Sequence, residues 1–177
     1  FLRPLGPPTY PEDNDLRNIL ITHSTLVMQR AVRICDAHPE LHIDRQFVIE
    51  AAMLHDIGIF RCHAPSIHCM GDEPYICHGR IGAELMRAEG YPRHARVCER
   101  HTGAGLTKHD IISQKLPLPE EDFLPETIEE KVICYADKFY SKTRLNHEKS
   151  FEEALRSLQK FGEEGVLRFR EWKNLFE

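Results

Sequence analysis

In the run Ala51–Phe60, AAMLHDIGIF, an imidazole and a carboxylate stand side by side where an apolar helical stretch meets a glycine. Both groups want water or a partner, yet the residues around them are those of a buried segment. Four more positions repeat the oddity. His23 lies one turn from Leu20 and from Leu26–Val27, His78 and His101 open and close two further helical segments, and Asp137 follows Val132, Ile133 and Ala136. Taken singly, a histidine on an apolar face reads as a hydrogen-bonded core residue. Taken together, imidazoles and carboxylates from five apolar-flanked segments are the ligand types of zinc, manganese, iron, nickel or magnesium, and no other buried use accounts for them all. Neighbouring side chains on a helix point about 100° apart, so His55 and Asp56 can share an ion only at a helix end, which Gly58 is expected to provide.

The elements that must bring these positions together are helical. Prolines at 4, 7, 8 and 11 exclude a regular helix at the start, so residues 1–14 read as an extended arm. From Asp15, apolar residues at 16, 19, 20, 26, 27, 31 and 34 recur at the spacing of one buried face. Asp44 is a plausible cap for a second helix through RQFVIEAAMLHD. Residues 60–76 read as a loop, CHGRIGAELMRAEG as a third helix stopped by Gly90, and PRHARVCERH as a fourth with Pro92 in its first turn. Residues 103–126, with prolines at 117, 119 and 125, read as irregular. Capping boxes at Thr127–Glu130 and Ser150–Glu153 then open a helix through KVICYADKFYSK and a set of C-terminal helices. The stripe Phe169, Trp172, Phe176 reads as core or as a homodimer contact, with no cofactor implied. Nothing alternates at period two, so the expected fold class is all-α: one body over residues 15–145, with the helices of 146–177 packed on it.

The totals narrow the function classes. A chain of 177 residues supports one domain with a real core. A net charge of −5 without a basic block argues against binding duplex nucleic acid through its backbone. No apolar run is long enough to cross a bilayer, which points to a cytoplasmic protein with no membrane partner. Six cysteines without a C-x-x-C pair read as free thiols. For the same reason the cluster Cys62, His63, His68, Cys69, Cys77 reads as a loop over the site rather than a zinc knuckle.

The ordered set His23, then HD at 55–56, His78, His101 in RHTG and Asp137 in YADK resembles the HD-domain superfamily of metal-dependent phosphohydrolases, and LHDIG resembles its HDIG branch. The resemblance spans residues 15–145 and implies an HD-domain helical bundle, here with extra C-terminal helices. It implies His23, His55, Asp56 and Asp137 as ligands of one divalent metal, with His78 and His101 serving a second ion bridged by Asp56. The implied reaction is attack of a metal-activated water on a phosphomonoester, phosphodiester or pyrophosphate of a small nucleotide-like substrate. Asp56 and Lys138 are the catalytic candidates, and Lys108, His109 and Arg80 the substrate-binding ones; Lys142 and Arg144 read more simply as solvated side chains. The pattern is similar to bacterial HD enzymes that split diadenosine tetraphosphate. It departs from HD-GYP cyclic-dinucleotide phosphodiesterases, since HTG stands where a double histidine is required and no GYP stretch follows. Two alternatives stay open: a di-iron HD-type oxygenase, which uses the same ligand types, and a non-catalytic nucleotide- or metal-binding regulator.

Overall fold

Asn14 accepts the backbone N–H of Arg17 and so starts α1, Asp15–Ala37, which turns Leu16, Leu20, His23, Val27, Ala31 and Ile34 inward. This computed structural model describes residues 14–177; the arm read over 1–14 otherwise lies outside the described residues. The Asp44 side chain accepts the N–H of Phe47 and starts α2, Arg45–Leu54. Here the expectation is corrected: α2 ends at Leu54 with His55 as its cap, and a 3-10 turn covers Ile57–Arg61. Gly58 sits inside that turn and does not have a positive φ. A Cβ at Gly58 would collide with the His78 carbonyl oxygen and the Gly82 backbone. Its role is therefore to let the turn lie against α3, His78–Ala88.

Two regions read as irregular carry structure. Within 60–76, β1 (Cys62–Ala64) pairs antiparallel with β2 (Cys69–Met70) and parallel with β3 (Glu73–Pro74). Strands this short cannot display an alternation. Gly90 (φ +82°) follows α3, and Pro92 occupies the first turn of α4, Pro92–Arg100. Within 103–126 a Thr107–Asp110 capping box opens α5, Lys108–Ser113, which is too brief to register a helical period. The Thr127–Glu130 box opens α6, Ile128–Asp137, and α6 stops there rather than running on to Lys142. α7 (Phe151–Leu158) and α8 (Glu163–Phe176) complete the described chain.

The core has two main parts. One joins α1, α2, α6, α7 and α8 through Val27, Val48, Ile133, Leu158 and Phe169. The other joins α3, α4 and the small sheet to Leu16 and Leu20 of α1. His23 lies on α1 between Leu20 of the second cluster and Val27 of the first. Phe169, Trp172 and Phe176 are buried in the first cluster, so the stripe is core. Burying each of these rings stabilises the fold by roughly 1.5–3 kcal/mol. Among the described residues no helix is long and apolar enough to cross a membrane.

Candidate metal centre

Five of the six ligand-type residues stand at helix ends. His55 caps α2 and Asp56 follows it, His78 is the first residue of α3, His101 caps α4, and Asp137 is the last residue of α6. At a terminus the chain leaves the helical repeat, so two adjacent side chains can face one point. His23 alone comes from mid-helix. All six converge between the two core clusters, and none is more than 8% exposed.

The protons show what the arrangement lacks. The Nδ1 atoms of His55, His78 and His101 lie 2.7, 2.6 and 2.7 Å from the carbonyl oxygens of Ala52, Tyr75 and Cys98. A carbonyl only accepts, so each Nδ1 donates, and in the neutral ring each Nε2 is left as a bare lone pair. Those lone pairs point at acceptors. Asp56 Oδ2 lies 3.1 Å from His55 Nε2 and 3.2 Å from His23 Nε2, and Asp56 Oδ1 lies 3.4 Å from the Nε2 of both His78 and His101. Asp137 Oδ1 lies 3.0 Å from His23 Nε2 and 3.5 Å from His55 Nε2. The two Nε2 atoms of His78 and His101 face each other at 3.0 Å. Both Asp56 oxygens, both His23 nitrogens and His55 Nε2 are buried without a hydrogen bond. Lone pairs facing lone pairs repel unless a cation lies between them, and histidines held through Nδ1 by carbonyls are oriented as metal ligands are. The donor atoms of His23, His55, Asp56 and Asp137 lie within 4.8 Å of one another, as do those of Asp56, His78 and His101. The residues present therefore fit one or two divalent ions sharing Asp56.

Electrostatics point the same way. Burial disfavours a charged His55, but Asp56 and Asp137 outweigh it and lift its pKa to about 9, so a proton takes the cation's place at that ring. Burial likewise opposes ionisation of Asp56, yet His55 and Lys142 hold it well below the usual carboxylate range. Asp137 is held well below that range too, with Lys138 and His23 overcoming its burial. Burial, then the facing His101, push His78 down to about 3. Burial also lowers His101.

Beside this layer opens a cleft of about 390 Å³ lined by Asp137, Lys138, Lys142, Lys149, Lys160 and Phe161, among others. Of the cations singled out from sequence, Lys138 lies there, its ammonium 2.5 Å from Asp137 Oδ2 and donating to the His101 carbonyl at 3.0 Å. Lys108 and His109 are exposed on α5, and Arg80 pairs with Glu84 and Glu73; none of the three lines the cleft. Lys142 is the correction. Read as solvated, it places its ammonium 2.5 Å from Asp56 Oδ2, with 13% of its side chain exposed. Nothing within its own polar segment marked it out. Arg144 is exposed, as read. Cys62, Cys69 and Cys77 belong to the second core cluster, while His63 and His68 are exposed.

A family model described as HD domain matches residues 20–141. The chain is 37% identical over 129 residues to a tRNA (cytidine(56)-2'-O)-methyltransferase of Picrophilus torridus, covering 72% of this chain and 33% of that protein. It is 39% identical over 103 residues to uncharacterized protein MJ0778 of Methanocaldococcus jannaschii, covering 58% of this chain and 53% of that one. A tRNA (cytidine(56)-2'-O)-methyltransferase of Thermoplasma volcanium is 32% identical over 123 residues, 69% of this chain and 32% of that protein. The chain thus spans about a third to a half of the length of these curated relatives. Among solved structures, the HD domain of the L. monocytogenes phosphodiesterase PgpH superposes with a TM-score of 0.51 at 14% identity, covering 87% of this chain and 89% of that one. The same domain in complex with cyclic-di-AMP superposes with a TM-score of 0.51 at 13% identity over 92% and 95% of the two chains. That likeness shows a shared fold.

Proposed function

This chain belongs to the HD domain family, and on that premise we propose that it is a metal-dependent phosphohydrolase acting on a small nucleotide-like phosphate ester or anhydride. One observation carries the reading. Asp56 lies against the Nε2 atoms of four histidines, three of which have committed their Nδ1 proton to a backbone carbonyl. Such a carboxylate calls for a cation.

Under this reading His23, His55, Asp56 and Asp137 hold one divalent ion, and Asp56, His78 and His101 hold a second. When bound, such ions lower the pKa of water and draw charge from phosphate oxygens. The chain's own contribution is positional and electrostatic. Burial works against the Lys142 ammonium, but Asp56, Tyr75 and Asp137 outweigh it and raise its pKa well above the ordinary value. Lys142 therefore offers a phosphate oxygen a fixed positive charge rather than a proton. Lys138 is a positioning residue, joining Asp137 to the His101 carbonyl. Tyr75 stacks on His78 with ring centroids 4.7 Å apart, and burial pushes its phenol up to about 12, so it remains neutral.

The fold shared with a phosphodiesterase HD domain, and that domain's complex with a cyclic dinucleotide, support the phosphate and nucleotide classes. The methyl transfer named for two relatives belongs to proteins of which this chain matches about a third, and we do not extend it to this chain. The test is phosphate release from mononucleotides, dinucleoside polyphosphates and sugar phosphates by protein loaded with manganese, iron, zinc, nickel or magnesium. Release that a chelator abolishes is expected. No release at full metal occupancy overturns the reading, as does oxygen uptake by iron-loaded protein without release.

A further inference from the structure

The residues after Asp137 bring the cleft more positive charge than its carboxylates can neutralise. Lys138 and Lys142 have partners in Asp137 and Asp56. Lys149 and Lys160 line the same cleft but pair with no carboxylate among the described residues. The half-buried Lys149 donates to the Lys138 carbonyl at 3.3 Å, and the exposed Lys160 holds its ammonium 4.9 Å from the Phe161 ring centroid. The acid that could have served Lys149 is occupied: Glu153 accepts the Ser150 N–H at 2.7 Å in a capping box and faces His147 at 3.3 Å. Burial lowers the Lys149 pKa, Lys138 and Lys160 add to that, and Asp137 and Glu153 offset it only in part. A half-buried ammonium beside other cations and without a carboxylate partner is unfavourable in the free protein and attracts an anion.

We propose that Lys149 and Lys160 form a second anion subsite, which takes a phosphate beyond the one being hydrolysed. The substrate class is then a compound carrying two or more phosphates, such as a bisphosphate or polyphosphate. The assignment rests on the hydrolase reading for the first phosphate. Both lysines lie outside the span 20–141 that the family model matches, so this selectivity belongs to the C-terminal part of the chain. A monophosphate would reach the His–Asp layer and leave the two ammonium groups unmatched.

Binding and turnover test it separately. Inorganic tripolyphosphate is titrated calorimetrically into the full chain in chelator, for wild type, Lys149→Gln, Lys160→Gln, the double variant and Lys149→Arg. About tenfold weaker binding by the double variant is expected, with Lys149→Arg near wild type and affinity falling with salt. Equal affinity in wild type and double variant overturns the subsite. In metal-loaded enzyme the double variant should raise KM for ATP about tenfold with kcat kept. It should leave p-nitrophenyl phosphate kinetics unchanged. A fall in kcat on both substrates overturns the proposal by placing these lysines at the reacting phosphate. Absence of all turnover defeats the hydrolase reading, while the tripolyphosphate titration still decides the subsite. Lys160→Gln, at an exposed position, keeps the test valid if Lys149 variants fold poorly.

Discussion

Two kinds of buried carboxylate share this molecule. Glu130, 4% exposed, accepts from the Arg96 guanidinium at 2.7 Å and from the Glu126 and Thr127 N–H groups at 2.7 and 3.4 Å. Asp110, 7% exposed, accepts from the N–H and hydroxyl of Thr107 at 2.9 and 2.7 Å. Both close capping boxes, and their charge goes into holding a helix start. Asp56, fully buried, meets the Lys142 ammonium at 2.5 Å on Oδ2 and otherwise faces four imidazole nitrogens. Burial does not distinguish the two kinds; satisfaction does. A carboxylate that has met its donors is structural, and one aimed at lone pairs is waiting for a cation.

The largest effect that would sharpen this contrast is expected at Asp56. Asp56→Ala should abolish binding of both metals, by elemental analysis, and lower kcat/KM by roughly 10³-fold or more. Its chelated form should melt below chelated wild type, because the buried Lys142 ammonium and the protonated His55 lose their shared counter-ion. His78→Ala should keep the first metal and lose the second; unchanged metal content in both variants breaks the ligand assignment.

Glu130→Ala should behave in the opposite way. It takes from the half-buried Arg96 one of its two carboxylate partners, leaving Glu126, and opens a helix start, so denaturant unfolding should show a loss of about 1–2 kcal/mol with kcat/KM per folded molecule retained. Loss of metal in this variant would erase the distinction between the two carboxylates.

Chelation should act on one layer only. Wild type with metal at about 100 times its Kd should be stabilised by about 2.7 kcal/mol over the chelated form, and Asp56→Ala should show no such difference. Gly58→Ala drives a methyl into the backbone of α3 and should destabilise by about 1–3 kcal/mol, shifting the second metal more than the first.

The smallest effect is in the pH dependence of the metal-free protein. His78, pushed down to about 3, stabilises fully above its unfolded pKa of about 6.5 and loses that contribution as pH falls toward 3. His55, lifted to about 9, stabilises fully below about 6.5 and loses its contribution as pH rises through 9. Chelated protein should therefore melt highest near pH 6.5. Metal uptake at pH 7.5 should release about one proton from His55, readable from calorimetry in buffers of different ionisation heat.

How far the site was legible depends on how each residue is held. His23, His55, Asp56, His78, His101 and Asp137 could be picked out because a polar residue in an apolar run is an anomaly visible one-dimensionally. The capping boxes at Thr127 and Ser150 could be read because their partners are three residues apart. Lys142, Lys149 and Lys160 could not, since a lysine in a polar segment looks solvated until the chain is seen to fold back. Arg80, Lys108 and His109 looked the more eligible, and nothing local showed that they lie off the cleft. α5 and the three short strands escaped for want of length.

Composition and periodicity alone determined that the chain is helical, where most helices begin, and that six anomalous side chains need a common explanation. Only the tertiary structure decided that their Nε2 and carboxylate oxygens meet within a few ångströms, that Gly58 is a contact rather than a stop, and that α6 ends at Asp137 so that Lys142 can return to Asp56. The reason is range. Helix period, caps and burial cost act over a few residues and are written in the local sequence, whereas the choice among equally polar lysines is made by packing between segments distant along the chain.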